Sequence, residues 1–466
     1  MQGDELLLSS AKAQLAALRS RRVSAVELAQ MALSRISRLN PPLNAVVTLD
    51  PESALRQAEE ADKLLARQGA PPPLCGLVAT VKDAIEVEGL RSTGGARELS
   101  DHVPAADAPA VARLRAAGAV IMGKTNVPRF SSDIQTYNDL FGTTNNPWDL
   151  ALTPGGSSGG AAAAVAAGLT SFEIGTDIGG SIRIPSHFCG VYGHKPTFGL
   201  IPQQGYLDRL GGNLGTCDIN VFGPIARSAE DLDLLLGVLA GPDDESAKAW
   251  SLRLPPPRHE RLGDWKVGVW LDDPAFPVDR EVGRVLSHAV DLLSDAGAQV
   301  VLDRPGFSLE EAIDCFNHLL LAAVSPSVGD LRRAEALSGS HLAWLHQDQT
   351  RTSLRRAWAT YFQSHDALLC PVMPVSAFPH DQAGSIGSRL LVVNDQRVSH
   401  RDCFAWVGMV GVAYLPATVV PAGLSSKGVP VGLQVVGPYL EDRSAIALAS
   451  ILGQLTGGYL PPPLAR

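Results

Sequence analysis

Three residues of this chain combine the right type with the right surroundings for nucleophilic chemistry: Lys82, Ser157 and Ser181. Ser157 lies in Thr153-Pro154-Gly155-Gly156-Ser157-Ser158-Gly159-Gly160, and Ser181 in Gly175-Thr176-Asp177-Ile178-Gly179-Gly180-Ser181-Ile182-Arg183-Ile184-Pro185. A serine among glycines has uncovered amides beside it and a backbone free to take positive φ. That suits an attacking hydroxyl with an oxyanion hole. Both serines need a base, and Lys82 supplies one at the end of the β-prone run Gly76-Leu77-Val78-Ala79-Thr80-Val81. An ammonium group of pKa about 10.4 cannot accept a proton at neutral pH, whereas burial that lowers it by about 3 units makes the free amine available. Taken alone, Lys82 reads more readily as the partner of Asp83 at a strand end.

Two other chemistries fail on context. Gly155-Gly156-Ser157-Ser158-Gly159 fits the G-x-S-x-G elbow, but that motif needs a strand running into its first glycine, and Pro154 cannot continue an interior strand. Neither phosphate-loop fingerprint can be read from the same glycines. Cys189 lies in an apolar setting and reads as a small core residue rather than a thiol nucleophile.

The chain resembles the amidase signature family of serine hydrolases. The resemblance rests on Val81-Lys82-Asp83, Gly123-Lys124-Thr125-Asn126, Gly142-Thr143-Thr144-Asn145-Asn146-Pro147-Trp148, the two glycine–serine clusters, Gly193-His194-Lys195-Pro196-Thr197, and Gly428-Val429-Pro430-Val431-Gly432-Leu433-Gln434. It implies a Ser-Ser-Lys triad of Lys82, Ser157 and Ser181, with Ser181 as nucleophile and Ser157 as relay on a cis peptide. It further implies an oxyanion hole from the amides of Ile178, Gly179, Gly180 and Ser181, a supporting ion pair of Asp177 with Arg183, and substrate contacts at Ser131 and Ser132. No metal or organic cofactor is implied. His194 departs from the leucine of many relatives; beside a structural turn it reads as packing.

The elements that must position these residues follow the α/β pattern. Helical spacing runs through residues 9–38 with Ser24 as an N-cap, residues 43–49 read as a strand, and residues 51–68 read as an amphipathic helix. Residues 265–271, 281–296 and 299–302 form a β-α-β unit. The expected fold is one α/β domain over residues 1–466, a mixed central sheet with helices on both faces. Its catalytic core spans about 70–240 and its variable substrate-lining region about 304–400.

Residues 404–426 carry no charge, yet Pro416, Pro421 and three glycines divide them into a buried helix and a core strand, so no membrane association is expected. A net charge of −9 and the lack of a basic cluster argue against a nucleic-acid partner. Six cysteines without paired or metal-ligand spacing, and no signal peptide at the start, fit the cytoplasm. The expected activity is hydrolysis of a small-molecule carboxylic amide through an acyl-enzyme, with a homodimer compatible. The alternative is the glutaminase component of a tRNA-dependent amidotransferase, which requires partner subunits. A catalytically inactive binding protein on the same fold is the third reading, and the intact Lys82, Ser157 and Ser181 argue against it.

Overall fold

The architecture is built on an eleven-stranded sheet, seen in a computed structural model that describes residues 2–67, 69–328 and 330–466. Its strands are β1 (Val46–Leu49), β2 (Val78–Lys82), β3 (Val120–Thr125), β4 (Phe172–Asp177), β5 (Tyr192–Lys195), β6 (Val221–Ala226), β7 (Lys266–Val269), β8 (Gln299–Leu302), β9 (Ala367–Pro371), β10 (Ala417–Leu424) and β11 (Pro430–Val436). They lie in the order β1-β3-β2-β4-β6-β5-β10-β11-β9-β7-β8. Parallel pairs join β3, β2 and β4 at one end and β9, β7 and β8 at the other, with antiparallel pairs between. This is the mixed α/β sheet that the sequence implies, in a single domain.

Burial explains the composition of the strands. Every residue of β2, β3 and β4 is buried, so these strands show no alternation; sheets covered on both faces read as continuous runs. The Gly159–Ala166 helix packs on the same strands and contains no side chain larger than valine. A Cβ at Gly160 would collide with the backbone of Asn126, and one at Gly159 with the Thr136 side chain. Small residues here bring the chain that follows Ser157 down onto the interior strands beside Lys82.

One expectation changes in the structure. The helix capped by Ser24 runs through Pro41 and Pro42 to Leu43, so the strand begins only at Val46. Asn44, at φ 52, ends the helix, while the Asn40 side-chain oxygen accepts the amides of Ala45 and Val46 and turns the chain into β1. The 304–400 segment holds the helices Leu309–Val324, Leu331–Ser338 and His341–Tyr361, of which the second buries no residue and the third four. Residues 404–426 divide as expected into the buried helix Ala405–Val412 and strand β10, and no helix is long and apolar enough to cross a membrane.

Candidate active site

The site forms where the C-terminal ends of β2 and β4 meet the loops holding the two serines. Lys82 is the last residue of β2 and has no exposed surface. Its Nζ donates to Ser157 Oγ at 2.6 Å and to Thr176 Oγ1 at 2.7 Å. Neither partner carries charge. Burial therefore dominates and pulls the Lys82 ammonium down to about 7, against a partial upward pull from Asp177 and Glu173. The Gly156–Ser157 peptide is cis.

Ser181 sits on the loop between β4 and the Arg183–Cys189 helix, and Asp177 organises that loop. Its carboxylate accepts the amides of Gly180, Ile182 and Arg183 and forms a two-pronged pair with the Arg183 guanidinium at 2.8 and 2.9 Å. Both side chains have no exposed surface. The remaining Arg183 nitrogen donates to Val407 O and Gln434 Oε1, which ties the loop to the Ala405–Val412 helix and to β11. Arg183 and these hydrogen bonds hold the Asp177 carboxyl below the usual carboxylate range despite its burial. Arg183 and Asp177 thus sit together as an ion pair.

The Gly180 amide is committed to Asp177 Oδ1 at 2.8 Å, so it points into the loop's own hub rather than toward a developing oxyanion. The amides of Ile178, Gly179 and Ser181 have no such partner among the described residues. Ser181 is 7% exposed, and its hydroxyl is not hydrogen-bonded to Ser157 in this conformation. The two serine loops are joined one residue along, where the Ser158 amide donates to Ser181 O at 3.1 Å. Catalytic hydrogen bonds of free enzymes commonly tighten only when substrate is bound.

Ser131 and Ser132 part company. The Ser131 hydroxyl is buried without a partner, at a residue held at φ 58. Ser132 is exposed, donates to Arg129 O at 2.7 Å, and lines a separate surface cavity of about 250 Å³ with Arg97, Glu98 and Tyr137. Thr176 and Gln434 were not singled out from sequence. Thr176 lies directly before Asp177 and Gln434 closes the Gly428–Gln434 motif, so both stand in segments that carry the resemblance.

His194 belongs to the frame. It lies on β5, its ring bonded to Thr418 Oγ1 at 2.9 Å and to Asp442 Oδ1 at 3.1 Å, with no exposure. Cys189 is equally buried, and burial pushes its thiol far above the usual range. No cluster of three metal-ligating side chains occurs among the described residues.

A model of the amidase family matches residues 27–328 and 316–446 of this chain. The chain belongs to the amidase signature family. It is similar to a glutamyl-tRNA(Gln) amidotransferase subunit of Thermus thermophilus, at 35% identity over 95% of this chain and 97% of the relative. The corresponding protein of Cyanothece sp. is 32% identical over 94% of this chain and 96% of the relative. Among solved structures, a protein described as an amidase superposes with a TM-score of 0.81 at 29% identity, covering 96% of this chain and all of that one. Amidase-signature membership makes this an enzyme acting on carbon–nitrogen bonds.

These relatives correct one expectation. Nucleic acid was excluded on net charge, but a chain of −9 is similar over nearly its whole length to subunits of an enzyme named for tRNA. Net charge describes the surface of one chain and carries no information on what an assembly holds through other subunits.

Proposed function

We propose that this chain hydrolyses a carboxylic amide through an acyl-enzyme on Ser181, and that the amide is the side chain of glutamine, with the ammonia serving a tRNA-dependent amidotransferase. The hydrolytic half rests on one observation above the others: a fully buried Lys82 held near neutral pKa and 2.6 Å from Ser157 Oγ. The glutamine half is supported by the amidotransferase subunits, similar at 30% identity and above over more than nine-tenths of the chain.

In the proposed sequence, neutral Lys82 accepts the Ser157 proton while Ser157 accepts that of Ser181, and Ser181 Oγ bonds to the amide carbon. Negative charge appears on the former carbonyl oxygen, toward which the amides of Ile178, Gly179 and Ser181 are free to donate. Each such donor is worth about 3 kcal/mol. The carbon–nitrogen bond then breaks as Ser157 returns a proton to the nitrogen and recovers one from Lys82. Water, deprotonated by the same relay, attacks the ester and releases the acid and Ser181. Asp177 and Arg183 fix the loop and take no proton. Ser131 is the favoured substrate contact of the two serines.

A second reading, a self-sufficient amidase for an aryl or alkyl amide, is favoured by the wall beside the nucleophile. A side chain at Gly179 would touch Phe404 at 3.4 Å and Phe316 at 3.6 Å, so the oxyanion loop faces aromatic rings rather than charges. Phe316 comes from the 304–400 region, consistent with its role as substrate-lining segment around a catalytic core at 70–240. Six unpaired, buried cysteines support a cytoplasmic setting.

The deciding experiment measures ammonia release from glutamine by the chain alone and with the other amidotransferase subunits and tRNA, beside a panel of anilides and aliphatic amides. Glutamine turnover stimulated by the partners supports the first reading. Turnover of anilides without partners and none of glutamine under either condition replaces it with the second.

A further inference from the structure

Glu173 is a buried acid beside the triad that none of these steps uses. It lies on β4 opposite Thr80 of β2, and Lys82 follows two residues later on the same face. From the far side of β2, Thr125 pairs with Lys82 in β3 and donates its hydroxyl to Glu173 Oε1 at 2.6 Å. The carboxyl group thus reaches across the strand that bears the base. Glu173 Oε2 accepts the Ile174 amide at 2.7 Å, and neither Glu173 nor Lys82 has exposed surface.

The charged and titratable groups around it are few. Lys82 approaches from β2 with Asp83 just beyond it, Lys124 and Thr125 come from β3, and Asp177 lies further along β4. The residue paired with Glu173 on β6 is the apolar Ile225, and the Gly159–Ala166 helix packed on these strands has only Gly, Ala and Val. Asp177 is matched by Arg183, and the buried Lys124 charge acts on both Asp83 and Glu173. If Lys82 is a free amine, an ionised Glu173 shares the single cation Lys124 with the buried Asp83, and an excess buried negative charge of this kind is relieved by taking a proton.

We propose that Glu173 is a positioning residue that sets the protonation of the base: Lys82 and Glu173 titrate as one buried pair, the neutral acid accompanying the free amine. The proposal rests on the triad reading. Burial pushes the Glu173 carboxyl up to about 7 and pulls Lys82 down to about 7, and the Glu173 anion acts to raise Lys82, which supports the coupling that the strand register sets up. As an anion Glu173 holds a proton on Lys82 and silences the base; as an acid it leaves the amine free.

The test is the rate of labelling of the full-length chain by a fluorophosphonate, followed from pH 5 to pH 10, which needs no knowledge of the substrate. Glu173→Gln keeps the shape and the acceptor for Thr125 but removes the anion. The acid limb of its profile is expected to move to lower pH by about half a unit or more, with the plateau rate within a few-fold of the parent. A profile that superimposes on the parent's, or moves to higher pH, overturns the proposal, because a merely structural carboxyl alters the plateau and leaves the limb in place. If the glutamine variant does not fold, Glu173→Asp draws the charge back by one methylene, and a smaller shift in the same direction is required. Labelling that survives Ser181→Ala overturns the triad reading and this proposal with it. Loss of labelling in Ser181→Ala together with an unmoved limb overturns this proposal alone.

Discussion

Two buried cations bear on the loops that carry the proposed serine pair, and the protein treats them oppositely. Arg183 has a carboxylate on two of its nitrogens and carbonyl-type acceptors on the third, so its charge is answered. Lys82 is given two hydroxyls and no carboxylate in contact. An answered charge builds a rigid loop, and an unanswered one is surrendered, which is what a base requires. Burial alone does not make that base: Lys195 is also pulled down to about 7, yet its amine donates to Pro196 O and touches no relay hydroxyl.

The largest effect tests whether both cations serve Ser181 at all. Ser181→Ala is expected to lower amide hydrolysis by about 10⁴-fold or more and to abolish fluorophosphonate labelling. The sharpest test of the contrast is Lys82→Arg. A guanidinium keeps its proton at all working pH values, so activity falls by about 10³-fold or more, with no recovery up to pH 10. Asp177→Asn makes Arg183 resemble the unanswered case. Breaking that buried pair is expected to cost about 3–5 kcal/mol by chemical denaturation, with labelling lost as the loop loosens.

Lys82→Met goes the other way. The folded lysine is lowered from 10.5 to about 7, so between those values the unfolded chain holds a proton that the native one lacks. Stability contributed by this group therefore rises with pH across that window, and the slope vanishes below about 7. The methionine variant should flatten the slope and raise stability by about 2 kcal/mol near pH 7 while losing activity, as read from urea midpoints between pH 7 and pH 10. The smallest effect is Thr176→Val, which removes one of two acceptors from the amine. A loss of about 1 kcal/mol, or roughly fivefold in labelling rate, is expected.

What the sequence disclosed follows from where the constraint lies along the chain. Ser157, Ser181, Asp177 and Arg183 sit in glycine-rich segments whose composition is dictated by the backbone itself, so local reading reaches them. The Ser24 cap was visible for the same reason, its oxygen accepting the Glu27 amide three residues on. Glu173 gains its meaning only through strand register and sheet order, which no local pattern specifies, and Gln434, though inside a quoted motif, shows its contact with Arg183 only in the fold. The Gly180 amide also escaped: its neighbours suit an oxyanion hole, and only the fold shows Asp177 already holding it. Ser131 and Ser132 are adjacent and chemically alike, and positive φ at the first separates a buried hydroxyl from an exposed one. The His341–Tyr361 helix buries only four of its residues, so its sequence carries little of the periodic apolar signal that marks a core helix.

Burial of all six thiols has a practical corollary. With every sulfhydryl withdrawn from solvent and its ionisation pushed upward, none presents the thiolate that alkylating reagents consume. A crude extract treated with iodoacetamide would lose its cysteine-dependent amide-cleaving enzymes and retain this one, so the reagent doubles as a filter for assigning cellular turnover to this chain.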